Sequence, residues 1–118
     1  EKEVRYEEFM TDDAEYLFVG YGTSARLCQK ALQLARAEGI KAGLLRPITL
    51  FPFPKKRLNE LADRMKGMLA VEMSAGQMVE DVMLSVNGKT RVSHYGRMGG
   101  MIPTPEEVVE NLKSFIKG

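Results

Sequence analysis

The sequence has one cysteine and almost no excess charge, and each shortage excludes a class of protein. Because Cys28 stands alone, the chain cannot form an internal disulfide or supply the thiolate set of a zinc cage or an iron–sulfur cluster. This predicts no metal site and a reducing, cytoplasmic setting. Seventeen basic and sixteen acidic residues leave a formal net charge of +1, which is too small to attract nucleic acid or an anionic membrane.

The chain also lacks a long hydrophobic run. Its longest apolar stretch, Ile48 to Pro54, is interrupted by Thr49 and Pro52, whereas a membrane-spanning helix needs about 20 apolar residues. The sequence begins at Glu1 with charged and polar residues, without an initiator methionine or the apolar core of a secretory signal. We therefore expect no membrane or nucleic-acid partner, and a fragment cut from a longer polypeptide.

The composition is that of one globular domain. The 118 residues are 44% hydrophobic and 28% charged, which is too apolar for a disordered chain and sufficient for one core. Residues 1–118 are therefore interpreted as a single domain.

Strand-like and helix-like segments alternate along the sequence. Short apolar runs typical of buried strands are each followed by apolar residues at helical spacing. The predicted strands are Tyr16–Val19, Ala42–Leu45, Met68–Met73 and Arg91–Tyr95. Such alternation predicts an α/β fold with a mainly parallel sheet. Residues Val4 to Phe9 alternate more weakly and are predicted to form an antiparallel edge strand.

The helical segments carry predictions about their ends and inner faces. Thr23 or Ser24 is expected to cap the first helix, whose apolar stripe includes Leu34. The stripe of the third helix includes Met83. Before the last helix, Thr104 is followed by a proline and, three residues after the threonine, by a glutamate, which together predict a capping box.

The loops that follow the parallel strands are the predicted functional region, because ligands and partners bind at the carboxyl ends of strands in this fold class. The first of them, Gly20 to Ala25, places two glycines between a strand and a helix, as a dinucleotide fingerprint does. The third glycine of that fingerprint is replaced by Ala25, and no acidic residue follows the next strand near Arg46. A tight turn explains the glycines equally well.

The segment RPITLFPFP places Ile48, Leu50, Phe51 and Phe53 in a proline-stiffened loop. Either this loop folds back over its own domain as part of the core, or another polypeptide covers it permanently. Because proline reduces the entropy that a segment loses on docking, we favour the second interpretation.

Isolated polar residues give weaker signals. Glu72, after the third predicted strand, is the best candidate for an acid–base group, although a carboxylate that orders the following backbone fits equally well. His94 has no partner at the spacing of a catalytic triad, and Cys28 falls within an apolar stripe, so both are interpreted as structural. Arg97 and a nearby glycine pair form a loop that could collect carbonyl or phosphate oxygens, but a purely structural loop is the favoured interpretation.

A resemblance to the 2-oxoacid:ferredoxin oxidoreductases, and specifically to the C-terminal domain of their alpha subunit, is carried by four motifs. These are VGYGTSARLCQKALQLARAEGIKAGLLRPITLFPFP, AVEMSAGQMVEDV, VNG and YGRMGGMIPTPEEVVE. The resemblance extends from about Glu15 to the end of the chain. It implies a transketolase C-terminal-like fold, which is a three-layer α/β/α domain with a five-stranded sheet whose first strand is antiparallel at the edge.

The resemblance also implies the chemistry of the whole enzyme. That enzyme oxidatively decarboxylates a 2-oxoacid, with 2-oxoglutarate or a branched-chain oxoacid expected, to an acyl-CoA with ferredoxin as acceptor. Thiamine diphosphate, magnesium and iron–sulfur clusters are implied for the enzyme and no cofactor for this fragment, which we expect to be inactive alone. The implied partners are the rest of the alpha subunit and the beta subunit, with ferredoxin and coenzyme A binding at the level of the complex.

The implied role of the domain is to brace the subunit interface, without catalytic, cofactor-binding or metal-ligating residues of its own. The predicted interface residues are Gly22, Thr23, Arg46, Pro47, Ile48, Leu50, Phe51, Pro52, Phe53, Glu72, Gln77, Arg97, Gly99 and Gly100. Two alternatives remain. One is the C-terminal domain of a transketolase or of a 2-oxoacid dehydrogenase beta subunit, which shares the fold, and the other is a free-standing nucleotide-binding module.

Overall fold

The computed structural model describes residues 4–48, 52–72, 77–96 and 103–118. Within these ranges five strands and four helices follow one another in the predicted order. They are β1 (Tyr6–Phe9), β2 (Tyr16–Gly20), α1 (Thr23–Ala37), β3 (Ala42–Pro47), α2 (Lys55–Ala62), β4 (Gly67–Val71), α3 (Gln77–Val86), β5 (Arg91–Tyr95) and α4 (Pro105–Lys117).

The strands form one sheet in the order β1-β3-β2-β4-β5. β2 is parallel to both β3 and β4, and β4 is parallel to β5. β1 pairs antiparallel with β3 at the edge, with Tyr6 opposite Pro47. The predicted α/β fold, with a mainly parallel five-stranded sheet and an antiparallel first strand, is confirmed.

Helices cover both faces of the sheet. α2 and α3 pack on one face, where Leu58 and Val82 lie in the core, and α1 and α4 pack on the other, around Leu112. Leu17 and Phe18, adjacent in β2, belong to opposite cores and are each 1% exposed. Since successive side chains of a strand point to opposite faces, a strand covered on both faces is apolar throughout, as β2 is.

The helix ends agree with the sequence prediction at α4 and differ at α1. The Thr104 hydroxyl accepts a hydrogen bond from the Glu107 N–H at 3.1 Å, and the Glu107 carboxylate accepts one from the Thr104 N–H at 2.9 Å, so the capping box is confirmed. The cap predicted at Thr23 or Ser24 is wrong. Gly22 is the N-cap of α1, without a side-chain hydrogen bond and with φ of 64°, which glycine adopts far more readily than other residues.

Some predicted faces and strand ends also differ. Leu34 and Met83 are 37% and 52% exposed, so their predicted places on inner helix faces are wrong; each lies beyond the buried side of its helix. β3 extends through Pro47, two residues further than predicted, because β1 pairs with it there. β4 ends at Val71, and Met73 lies outside the described residues.

Two arginines hold β1 and the turn that follows it. Arg36 of α1 donates to both carboxylate oxygens of Asp13, at 2.7 and 3.2 Å. Arg57 of α2 donates to both carboxylate oxygens of Glu8, with Nη2 3.0 Å from one of them, and the Thr11 hydroxyl donates to the same carboxylate at 2.6 Å. These hydrogen bonds from cations lower the pKa of Asp13 and of Glu8.

We expect the Glu8 contacts to make folding acid-sensitive. The Arg57 hydrogen bonds hold the pKa of Glu8 below its ordinary value of 4.5, so the contribution to stability is present above pH 4.5 and is lost as the pH falls through the folded-state pKa. The free energy of unfolding, measured by urea denaturation, should decrease as the pH is lowered through this range. Glu8→Gln should reduce the slope of that decrease.

The matched control removes the cation. In an Arg57→Gln background, Glu8→Gln should no longer change the acid slope, because the carboxylate has lost its main partner. A Glu8→Gln variant that keeps the full wild-type slope would contradict this account.

Candidate functional site

The carboxyl ends of β2, β3, β4 and β5 lie along one edge of the sheet, because these strands are parallel. α1 packs on one face after β2, whereas α3 packs on the opposite face after β4. The chain therefore diverges between the ends of β2 and β4, which is the usual place for a ligand or partner in an open α/β sheet. We call this region, formed by residues 20–24, 46–48, 52–53, 72 and 96, the strand-end edge.

The segment after β2 is a surface turn. Gly22 and Thr23 are exposed, and Tyr21 is 44% exposed beside them. The Ser24 N–H donates to the Tyr21 carbonyl at 3.2 Å, which closes the turn. A tyrosine combines an apolar ring with a hydroxyl, and such residues often dominate the energy of protein interfaces.

The segment after β3 is divided between surface and core. Arg46 donates to the Glu7 carboxylate at 2.9 Å and so links β3 to β1 within the chain. Pro47 is buried. Ile48 is 36% exposed, and its N–H donates to the Arg5 carbonyl at 2.9 Å. Of these three predicted interface residues, Ile48 presents an apolar side chain at the surface.

Phe53 departs most from the predicted interface. Its side chain is 6% exposed and belongs to the core on the α2 and α3 face. This corrects the expectation that Phe53 is presented to another polypeptide, and it agrees with the alternative in which this part of the loop folds back over its own domain. Pro52 is exposed.

Glu72 acts as a cap for α3. The Met78 N–H lies 3.0 and 3.2 Å from the two carboxylate oxygens of Glu72. The main chain of Glu72 is fixed by its own N–H, which donates to the Tyr95 carbonyl at 3.0 Å. A negative charge at the first turn of a helix is stabilising. Of the two predicted roles, the geometry supports the carboxylate that orders the following backbone.

Two residues of the strand-end edge were not predicted from the sequence. Gly96 allows the ends of β4 and β5 to approach each other, since a Cβ there would lie 1.7 Å from the Glu72 carbonyl oxygen. Tyr21 stands between the two glycines of the first turn and is held outward by it. Two signals in the sequence could have identified them: Gly96 directly follows a predicted strand, and Tyr21 is an aromatic residue within a glycine turn.

Several predicted interface residues lie outside the described residues: Leu50, Phe51, Arg97, Gly99 and Gly100. Gln77 begins α3, but its side chain is also outside the description. Their assignment to an interface stays a prediction.

The described part of the chain offers little for redox or metal chemistry. It contains no group of three or more His, Cys, Asp or Glu side chains placed to bind a metal ion. Cys28 is fully buried, and burial raises the pKa of its thiol, so the thiolate that reacts or binds metal is disfavoured. As the single cysteine of the chain, it does not fit the thiolate set of an iron–sulfur cluster.

None of the helices in the described ranges combines the length and the apolar character needed to cross a bilayer.

Comparison with known proteins places these features in a family. The family model described as pyruvate:ferredoxin oxidoreductase core domain II matches residues 14–108. The ketoisovalerate oxidoreductase subunit VorB of Methanothermobacter thermautotrophicus is 50% identical over 113 residues, which cover 96% of this chain and 32% of that protein. The 2-oxoglutarate synthase subunit KorA of Methanothermobacter marburgensis is 33% identical over 112 residues, covering 95% of this chain and 30% of that protein. The chain thus spans about a third of the length of these relatives.

Solved structures share the fold. The 2-oxoglutarate:ferredoxin oxidoreductase from Magnetococcus marinus, solved with 2-oxoglutarate, coenzyme A and succinyl-CoA, superimposes with a TM-score of 0.77 at 22% identity, over 95% of this chain and 20% of that chain. A split-gene transketolase gives a TM-score of 0.79 at 18% identity, over 93% of this chain and 40% of that chain. The predicted transketolase C-terminal-like architecture is confirmed.

Proposed function

The chain belongs to the pyruvate:ferredoxin oxidoreductase core domain II family, and from this we propose that it is a non-catalytic domain of a 2-oxoacid:ferredoxin oxidoreductase that braces a subunit interface. The observation that carries the proposal is the family match across residues 14–108. In this proposal the strand-end edge is covered by a neighbouring polypeptide, and decarboxylation and electron transfer take place on other domains.

The geometry of the strand-end edge supports docking over chemistry. Tyr21 and Ile48 are 44% and 36% exposed there, and both belong to segments fixed by main-chain hydrogen bonds. Glu72 is engaged by the Met78 N–H. A fixed surface with exposed apolar side chains loses little entropy on association, which favours a stable interface.

We assign the domain to the alpha subunit of a cytoplasmic enzyme. The rest of that subunit and the beta subunit are the proposed neighbours, and ferredoxin and coenzyme A bind the complete complex. Thiamine diphosphate with magnesium, and iron–sulfur clusters, supply the decarboxylation and electron-transfer chemistry of that complex. Because this chain has one buried cysteine, the clusters belong to other parts of the enzyme.

The fold alone does not distinguish an oxidoreductase parent enzyme from a transketolase. The transketolase structure matches the fold as well as the oxidoreductase structure does. The family match and the identity to two oxidoreductase subunits favour the ferredoxin-linked parent over a transketolase or a dehydrogenase.

Reconstitution tests the proposed function. The 118-residue chain alone should show no 2-oxoacid-dependent reduction of ferredoxin. The full-length alpha subunit combined with its beta subunit, thiamine diphosphate, magnesium, coenzyme A and the iron–sulfur clusters of the complex should reduce ferredoxin, because the reacting groups lie on those parts. Turnover by the isolated chain would contradict the proposal, as would an assembled complex without oxidoreductase activity.

The proposed substrate is a branched-chain 2-oxoacid. The chain is 50% identical to a ketoisovalerate oxidoreductase subunit and 33% identical to a 2-oxoglutarate synthase subunit. We expect kcat/KM of the assembled enzyme to be at least about tenfold higher for ketoisovalerate than for 2-oxoglutarate, since an apolar side-chain pocket leaves the second carboxylate unpaired. Equal or reversed values in steady-state assays would contradict this assignment.

A further inference from the structure

A wide groove lies on the outer side of the α2 and α3 layer and meets the strand-end edge at Pro52 and Phe53. Its volume is about 1390 Å³, and its apolar lining includes Val4, Tyr6, Pro52, Phe53 and Leu84. We call it the α2–α3 groove. Small-molecule sites occupy roughly 300–1,000 Å³ and enclose their ligand, so a larger open groove is better suited to a polypeptide segment.

The exposed apolar side chains of the groove are typical of a surface that another polypeptide segment covers. Leu84 is 74% exposed, the highest value among the large hydrophobic side chains of the described ranges, and Tyr6 is 38% exposed. Exposed apolar side chains that share one concave surface mark sites of association more often than scattered ones do.

The two ends of the chain lie differently with respect to the groove. Val4 lines it, whereas Gly118 follows α4, which packs on the opposite face of the sheet. Residues that precede Glu1 in a longer polypeptide are therefore at most four peptide units from the groove, about 14 Å for an extended chain. The matched relatives are about three times the length of this chain, and in the proposed function part of that extra length precedes Glu1.

We propose that the α2–α3 groove is covered by the part of the same polypeptide that precedes Glu1 in the full-length protein. The inference rests on the proposed function, in which this chain is one domain of a longer subunit. It adds the surface on which the preceding part docks, and this surface borders the strand-end edge at Pro52 and Phe53.

The charges at the rim define the chemistry of the docked segment. Lys55 and Lys56 are exposed in the first turn of α2, where they add to the positive end of the helix. Neither forms an ion pair with any residue that the structure describes, in contrast to Arg57, which pairs with Glu8 and Glu60. We infer that the segment places an acidic side chain against the two lysines and apolar side chains against Leu84.

Cysteine labelling of the full-length polypeptide tests the proposal. Leu84→Cys is expected to fold normally, because Leu84 makes little contact within this domain, and Cys28 is too buried to react. In the full-length subunit without its partners, maleimide labelling at position 84, read by peptide mass spectrometry, should be at least about tenfold slower than in the same variant unfolded by denaturant. Adding Lys55→Glu and Lys56→Glu should restore fast labelling.

The matched control is Leu34→Cys, on the exposed side of α1 in the other helical layer. Leu34 is 37% exposed here, so it would label more slowly than position 84 if the groove were open, and it should label faster if the groove is covered. Labelling at position 84 close to the unfolded rate would overturn the proposal. So would protection that appears only after the beta subunit is added, since a partner would then be the occupant. If the enzyme is active while position 84 labels freely, the docking proposal fails and the proposed function stands.

Discussion

Replacing Gly96 with alanine should destabilise the chain by about 3 kcal/mol or more. The new Cβ would lie 1.7 Å from the Glu72 carbonyl oxygen and 2.9 Å from its carbonyl carbon. Both are backbone atoms of a residue that is fixed on either side, by the Tyr95 carbonyl and by the Met78 N–H. The clash can be relieved only by separating the ends of β4 and β5. Urea denaturation and thermal melting followed by circular dichroism measure the loss.

Gly39→Ala is the matched control. Gly39 has a φ of 88° and no atom within 4 Å of an added Cβ, so its replacement tests backbone strain without a clash and should cost about 1 kcal/mol. If Gly96→Ala lowers the free energy of unfolding no more than Gly39→Ala does, the close approach of the ends of β4 and β5 is wrong. Because this approach positions Glu72, a partly folded Gly96→Ala variant should also assemble poorly with the partner subunit.

Phe53→Ala should destabilise the chain by about 3 kcal/mol and lower the melting temperature by about 10 °C. The ring is 6% exposed and belongs to the core formed with α2 and α3, so its removal leaves a cavity there. α2 has eight residues and covers little of the sheet by itself, which increases the share of that core supplied by the loop. Denaturant unfolding of the isolated chain checks the value.

Leu84→Ala is the corresponding surface control. It removes a large apolar side chain from the same helical layer, but Leu84 is 74% exposed, and the change in unfolding free energy should stay within about 0.5 kcal/mol. An isolated chain in which Phe53→Ala is as mild as Leu84→Ala would mean that Phe53 is a surface residue. The interface interpretation of that side chain would then be restored.

The order and type of the elements followed from the sequence because burial leaves a local trace. Leu17 and Phe18 face opposite cores, so β2 is apolar at successive positions and is recognisable as a strand covered on both faces. Thr104 and Glu107 satisfy each other's main-chain groups within one turn, so the start of α4 is also a local property.

The features that the sequence did not predict depend on distant parts of the chain. Whether Phe53 turns inward is decided by the space beside α2 and α3, which no local pattern records. Gly96 is required by the position of Glu72, which lies 24 residues earlier in the sequence and directly follows the neighbouring strand β4. The exposure of Leu34 and Met83 shows the same limit, since the width of the buried side of a helix is set by its neighbours.

At the strand-end edge, the sequence left the main-chain partners of the side chains open. The cap of α1 is Gly22 instead of the predicted hydroxyl. For Glu72 the sequence allowed two roles equally, an acid–base group and a carboxylate that orders the following backbone, and the hydrogen bonds that it accepts from the Met78 N–H support the second. Main-chain geometry, which side-chain types specify only in part, decided both cases.

Hydrogen exchange on the assembled enzyme tests the central claim most directly. If the strand-end edge is covered by another subunit, the amides of Tyr21, Gly22 and Thr23 should exchange at least about tenfold more slowly in the complete complex than in the free alpha subunit. Met10 is an exposed residue that follows β1, near the amino-terminal end of β3. The exchange rate of its amide should be the same in the complex and in the free subunit. Unchanged exchange at all three strand-end positions in an active complex would show that this edge stays open to water, and would contradict the account.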